Sequence, residues 1–284
     1  NPYVIAEEFI EFATDNLLWL YDQVDAPTRN RSKKWYAGAR KLITKLARQS
    51  DISDYMVSAV MAGLSPQKDW YINASLAERV INIHMNFTGK QRGWLPDTKM
   101  RRKAFALYKS PKNNRLRLTI MGKAYADLTD IAEKALWLRT YDEAHNPRGY
   151  AKLTPEGNWI GKAEGTVSWG SLSEIGKGIS ALENSSYRNV SEVMGLRNKI
   201  RNFFNNLLAP EAKFGDVTID THAVAAALLR ALSGNSTEVS HNLATNPPVD
   251  KRAPGYVAAL ADNNTGAHGT YGLYADAYRR AAER

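Results

Sequence analysis

Apolar residues recur at helical spacing along most of the chain. Over 4–24, Ile5, Phe9, Phe12, Leu17 and Leu20 fall in phase, and Pro27 ends the run. A second amphipathic helix is predicted over 32–49, with Trp35, Leu42, Ile43 and Leu46 on one face and basic residues on the other. Ser53 or Asp54 suits the cap of a third helix running to Gly63. The run Ser-Pro-Gln-Lys-Asp-Trp then reads as a turn, and Asp69 to Met85 as a fourth helix. Residues 86–122 are less regular, with Gly, Pro and Asn punctuation. Helix returns over 123–139, where Ala124, Leu128, Ile131, Ala135 and Leu138 are in phase. Residues 144–171 look loop-like, with room for two short strands. Helices are predicted over 172–182, 189–194, 198–209 and 219–232. A polar loop follows over 235–254, then closing helices over 254–262 and 270–283. No repeat has a fixed period and sustained period-2 alternation is absent, so the fold class is mainly α.

At 284 residues the chain can bury a sizeable core, in one large domain or two packed lobes. Hydrophobic residues are 44% and charged residues 24%, as in ordinary globular proteins. No stretch approaches the roughly 18 apolar residues of a membrane span. The opening segment is acidic, unlike a signal peptide, and a cytoplasmic monomer is expected. The absence of cysteine excludes disulfides, thiolate metal sites and a cysteine nucleophile. None of the five histidines has the i, i+4 partner of a helical zinc motif, so neither a metal nor a resident cofactor is expected.

Charge sharpens this picture. The net charge of +9 favours anionic partners. The first 25 residues hold six acids and no Lys or Arg, whereas 29–48 hold eight basic residues and no acid. Residues 90–123 hold eleven basic residues and one acid, Asp97. Together these two windows carry half of the 38 basic side chains, which points to phosphate binding and to double-stranded DNA. Lys33, Lys34, Arg101 and Arg102 are the candidates within them.

The most distinctive segment lies at 215–232. A short β-branched run, Val217 to Ile219, ends at Asp220, and an Ala/Leu-rich helix follows. Asp220 therefore stands near a helix N-terminus, where it can cap and where the dipole favours its ionised form. The run Val217-Thr218-Ile219-Asp220-Thr221-His222 resembles the catalytic-aspartate segment of the helix-hairpin-helix DNA glycosylases. That resemblance implies that Asp220 stabilises developing cationic charge or activates a nucleophile.

Two further stretches resemble the same family, in the same order along the chain. Met194 to Lys199 is similar to its hairpin, which holds DNA phosphate with backbone N–H groups. Gly195 fits the first hairpin glycine, Arg197 replaces the second, and Asn198 and Arg201 flank them. Lys199 falls where bifunctional members carry a Schiff-base lysine, and a phosphate-binding role is equally compatible. Leu64-Ser65-Pro66-Gln67 is similar to the turn whose glutamine probes the gap left by a flipped base, and Trp70 and Asn73 follow one turn later. The resemblance implies a helix-hairpin-helix DNA glycosylase-like fold of two helical lobes, with a loop-rich basic insertion. One lobe is expected at about 50–190, the other from 1–50 plus 190–284. Trp70, Asn73, His222 and Tyr271 are the expected base-pocket residues.

The Ser-Pro-Gln turn, Lys199 with Phe203 and Asn205, the run Thr218 to Ala223 and the Tyr-rich last helix are most similar to a phage-encoded branch. That branch is expected to hypermodify thymine, an amino acid or amine displacing pyrophosphate from a 5-(pyrophosphorylmethyl)uracil base. Such an amine would be a co-substrate. A DNA N-glycosylase and a non-catalytic DNA-binding module remain the alternatives.

Overall fold

Helix starts in this protein are set by short polar side chains. Asp25, Ser53, Thr88, Asp130, Ser171 and Asp220 each accept a hydrogen bond from the backbone N–H three residues on, which satisfies a donor that the helix itself leaves open. A computed structural model describes residues 1–107, 111–146, 149–165, 167–195, 198–212, 215–243 and 270–284.

In chain order these hold α1 (Pro2–Gln23), α2 (Ala26–Ser32), α3 (Trp35–Ser50), α4 (Asp54–Leu64), α5 (Trp70–Met85), α6 (Gly89–Arg92), α7 (Thr98–Leu107) and α8 (Pro111–Ile120). A 3-10 turn (Tyr125–Asp127) leads to α9 (Ile131–His145), and then to strands β1 (Tyr150–Leu153) and β2 (Trp159–Glu164). Next come α10 (Leu172–Glu183), α11 (Tyr187–Met194), α12 (Asn198–Leu208), α13 (Thr221–Leu228), α14 (Thr237–Leu243) and α15 (Tyr271–Glu283). The protein is mainly helical, and none of these helices is long and apolar enough to cross a membrane.

The chain divides into two compact units, one formed by Asn1–Tyr36 with Gly195–Arg284, the other by Ala37–Met194. In the first, α1 packs along α15 and against α13. Ile10, Ala13 and Leu17 of α1 meet Ile219, Val224, Ala227, Tyr274 and Ala277 in its core. The acid-rich N-terminus finds its partners here: Arg280 pairs with Glu7, and Arg284 with Glu11 and Asp15.

In the second unit α4 is buried from Met56 to Leu64 and packs on α5, α10 and α11. Gly178 of α10 faces Val60 of α4 and Val80 of α5, where a Cβ would make ordinary contact at 3.5 and 3.7 Å. The two strands pair antiparallel, with an irregularity between Tyr150 and Lys152. Their turn docks on α3, where a Cβ on Gly38 would stand 1.7 Å from the Pro155 carbonyl oxygen. Only glycine fits at such a crossing. Arg79 of α5 is nearly buried and donates to Asp142 (2.6 Å) and to the Asn146 carbonyl (2.7 Å) at the end of α9.

Several elements differ from the periodicity. Pro27 stands in the first turn of α2, where its missing N–H costs nothing, so it opens a helix as well as closing one. Three helices, α6 to α8, occupy 86–122, and Tyr125–Asp127 forms a 3-10 turn, while Asp130 caps α9 at Ile131. The 219–232 helix is shorter at both ends: Asp220 caps it and Leu229 terminates it with φ +47°. Part of the 235–254 loop is α14. Ile5 and Phe12 are 66% and 53% exposed, since the face of α1 turned to α15 is Ile10, Ala13, Thr14 and Leu17. The helix expected over 254–262 lies outside the described residues.

A buried pair in the second unit makes stability depend on pH. His84 Nδ1 lies 2.7 Å from the Tyr125 hydroxyl, and burial lowers the imidazole from 6.5 to about 4. The unfolded chain therefore binds the proton first as the pH falls. The stabilisation is complete above pH 6.5 and is lost progressively as pH drops through the folded value near 4. The gap corresponds to roughly 3 kcal/mol. Urea unfolding of His84→Gln should show a flatter stability profile across that window than the parent protein. Equal slopes would remove His84 as the cause.

Candidate functional site

Asp220 is anchored through one carboxylate oxygen, and the run that carries it is held by several neighbours. Its Oδ1 accepts from the Ala223 N–H at 2.9 Å, which fixes one carboxylate oxygen at the N-terminus of α13. The run before it is clamped by Tyr271 of α15. The Tyr271 hydroxyl donates to the Val217 carbonyl (2.7 Å) and accepts from the Ile219 N–H (2.9 Å) and from Asn202 (3.2 Å). One donor and two lone pairs are thereby used up. Thr218 accepts from Asn206 at 3.0 Å and from Tyr36 at 3.1 Å, and Asn205 donates to Asp216 at 3.2 Å. Tyr278 donates to the Ala223 carbonyl at 3.0 Å.

Lys199 enters this arrangement from α12. Residues 199, 202 and 206 are spaced i, i+3 and i+7, so they share the helix face that reaches the 216–219 run. Ile200, Phe203, Phe204 and Leu207 bury the adjoining face. Burial pushes the Lys199 ammonium below the usual lysine range, and the nearby Asp220 carboxylate acts in the other direction. Tyr36 and Tyr278 also feel Asp220, and burial is the main cause that raises both phenols. An amine shifted towards its neutral form beside an anchored carboxylate can accept a proton, attack an electrophile, or hold an anion.

Gly195, at φ +66°, opens the link from α11 to α12, and its carbonyl accepts from Arg201 Nε at 3.1 Å. Asn198 begins α12, and Arg197 lies outside the described residues. His222 is exposed in the first turn of α13. Tyr271 is 5% exposed with its hydroxyl engaged, which makes it a support for the Asp220 segment. Lys33 and Lys34 are exposed between α2 and α3.

The remaining candidates stand in the second unit. Gln67 is exposed at the tip between α4 and α5, with φ +55°. Pro66 before it and a positive φ at Gln67 form a turn that ordinarily takes glycine at that place. A glutamine held there stores strain of about 1–3 kcal/mol. Trp70 is half-buried in the first turn of α5. Asn73 is 2% exposed and its Oδ1 has no hydrogen-bond partner among the described residues. Buried unpaired acceptors are rare and concentrate at functional positions. Arg101 and Arg102 are exposed on α7, and Lys41, Lys45 and Arg48 form an exposed basic face on α3. Among the described residues no group of three His, Asp or Glu side chains could hold a metal ion.

The sequence reading omitted Tyr36, Asn202 and Asn206. The polar Asn202-Asn206 spacing in phase with Lys199 was the available signal. A family of unknown function, DUF7178, matches residues 4–127. That stretch includes Gln67, Trp70, Asn73 and both basic windows, and it ends before Lys199 and Asp220. No curated protein and no solved structure matches the chain.

Tyr271→Phe tests the clamp. It leaves the ring in place and strands the buried Ile219 N–H, a loss of about 1–3 kcal/mol. The melting temperature should fall. An unchanged melting temperature would show that the hydroxyl carries no such role.

Proposed function

We propose that the protein is a DNA base-modifying enzyme that acts on a flipped, modified thymine or uracil, with Asp220 and Lys199 at its reacting centre. The observation that carries this reading is the anchored Asp220 carboxylate within electrostatic reach of a lysine whose ammonium form is disfavoured by burial. A titratable group shifted by burial and set near an opposite charge is common where proton transfer is needed. The exposed basic faces and the strained Gln67 favour a duplex partner from which a base is extruded.

The reaction favoured by the resemblance is transfer of an amine or amino acid to the exocyclic 5-methylene carbon. The amine nitrogen forms the new C–N bond, the C–O bond to pyrophosphate breaks, and pyrophosphate leaves with that electron pair. The surplus proton of the amine passes to the second carboxylate oxygen of Asp220 or to Lys199 Nζ. Arg197 and Arg201 would hold the departing pyrophosphate. A second reading, DNA N-glycosylase, draws on the lowered Lys199, because a neutral amine is what attacks a sugar carbon to form an imine.

Nucleoside mass spectrometry decides between them. Duplex DNA containing 5-(pyrophosphorylmethyl)uracil is incubated with the protein and mixed amines and amino acids. A new nucleoside carrying the amine, with its glycosidic bond intact, is the expected product. Free base with matching abasic sites would establish the glycosylase instead, and no product from any modified base would overturn the enzymatic reading. Asp220→Asn should lower turnover by about 10²–10⁴-fold. Its melting temperature should stay near that of the parent, because asparagine caps a helix as well as aspartate does. Gln67→Gly should weaken binding to the modified duplex without lowering the melting temperature, since glycine relaxes the turn. Unchanged binding would remove Gln67 from the DNA contact.

A further inference from the structure

A second site lies in the Ala37–Met194 unit, among residues that the Asp220 chemistry does not use. Trp94, Leu95, Asp97, Met100, Tyr141 and His145 line an open pocket of about 370 Å³. That volume falls in the ~300–1,000 Å³ range of small-molecule sites. Its walls are flat rings. Trp94 and Tyr141 stand 6.2 Å apart, tilted by 31°, and Tyr141 and His145 stand 5.1 Å apart. Phe87 braces both larger rings edge-on, at 6.5 Å from Trp94 and 5.0 Å from Tyr141. Trp94 nevertheless remains 41% exposed, and Leu95 61%. A tryptophan held rigidly from behind and open in front offers an apolar face to a ligand.

The polar groups of the pocket are fixed as well. Asp97 Oδ1 accepts from the Met100 N–H at 2.9 Å, which seats it at the start of α7. Its Oδ2 pairs with His145 Nε2 at 3.0 Å. The ion pair fixes the orientation of the imidazole at the pocket wall. Beyond the pocket, α7 carries Lys99, Arg101, Arg102 and Lys103, all exposed, while Met100 and Ala104 face the core. Such a surface repels a cationic ligand and attracts one that carries phosphate.

We propose that this pocket receives an unstacked nucleobase of a nucleic-acid strand, stacked on Trp94, with the adjoining phosphates on the basic face of α7. Rings that receive a base and cations that track the backbone are the two components of single-strand binding sites. The site stands whether or not Asp220 catalyses base modification, and its test reads binding alone.

Fluorescence anisotropy compares three ligands on the full chain: an oligothymidylate, an abasic strand of equal length and charge, and free thymidine monophosphate as competitor. The parent protein should bind the oligothymidylate more tightly than the abasic strand. Trp94→Ala should weaken oligothymidylate binding roughly tenfold and leave the abasic strand within about twofold. Trp94→Phe, which keeps a stacking ring, should recover most of the loss, and circular dichroism confirms that both variants fold. Arg102→Glu with Lys103→Glu should weaken both strands and flatten the salt dependence. Equal affinity for the two strands, or an unchanged oligothymidylate affinity in Trp94→Ala, would overturn the proposal. Thymidine monophosphate competing as well as the strand would assign the pocket to free nucleotides and overturn the strand.

Discussion

The Ala37–Met194 unit depends on the charge pair between Arg79 and Asp142. Both side chains are almost fully buried. Burial pushes the Asp142 carboxyl up, and the Arg79 guanidinium pulls it back. Two charges removed from water hold together only if their remaining donors and acceptors are also met. Here Asn146 and Trp169 donate to Asp142 at 3.1 and 3.3 Å, while Arg79 reaches the Asn146 and Gly149 carbonyls. One pair thus joins α5, the end of α9, the entry to β1 and the Trp169 segment. Breaking it by removing one partner would leave a buried charge, a loss of about 3–5 kcal/mol. Replacing both by apolar residues would free the loops that the pair gathers.

In the other unit the equivalent work falls to neutral side chains. The hydroxyls of Tyr271, Tyr36 and Thr218 and the amides of Asn202, Asn205 and Asn206 tie down five residues of extended chain, 216–220. An extended run has no ladder partner of its own, so its backbone groups need such partners. The result is a carboxylate anchored by its cap on a firmly held segment, near a lysine on a face shared with two of those asparagines. Rigid support of this kind is what a reacting group requires if its geometry is to survive the approach of a substrate.

The two candidate sites use charge differently. Around Asp220 the shifts come mainly from burial, which disfavours the charged forms of Lys199, Tyr36 and Tyr278. Near Trp94 the basic side chains of α7 are exposed to solvent, which suits attraction of a polyanion more than proton transfer. The Asp97–His145 pair orients a ring edge there and is half open to solvent.

Much of the helical framework was legible in the sequence, because caps and periodicity act within a few residues. Ser53, Pro66 and Asp220 each mark an element boundary by local chemistry alone. The irregular stretch at 86–122 was not, since α6 to α8 are short and lack a clear apolar phase, and the burial of α7 and α8 is supplied by α9. The face that α1 buries was equally hidden. Its apolar residues surround the helix, and the choice of Ile10, Ala13 and Leu17 over Ile5 and Phe12 is made by α15, some 260 residues away. By itself, then, the sequence determined the helical class, the caps, the basic windows and the identity of Asp220 and Lys199 as notable residues. Tertiary structure decided that Tyr271 is a clamp, that Asp220 is felt at Lys199, and that Trp94, Tyr141 and His145 wall one pocket. Those facts rest on contacts between distant segments, whose geometry is set by packing and burial, and no local pattern encodes them.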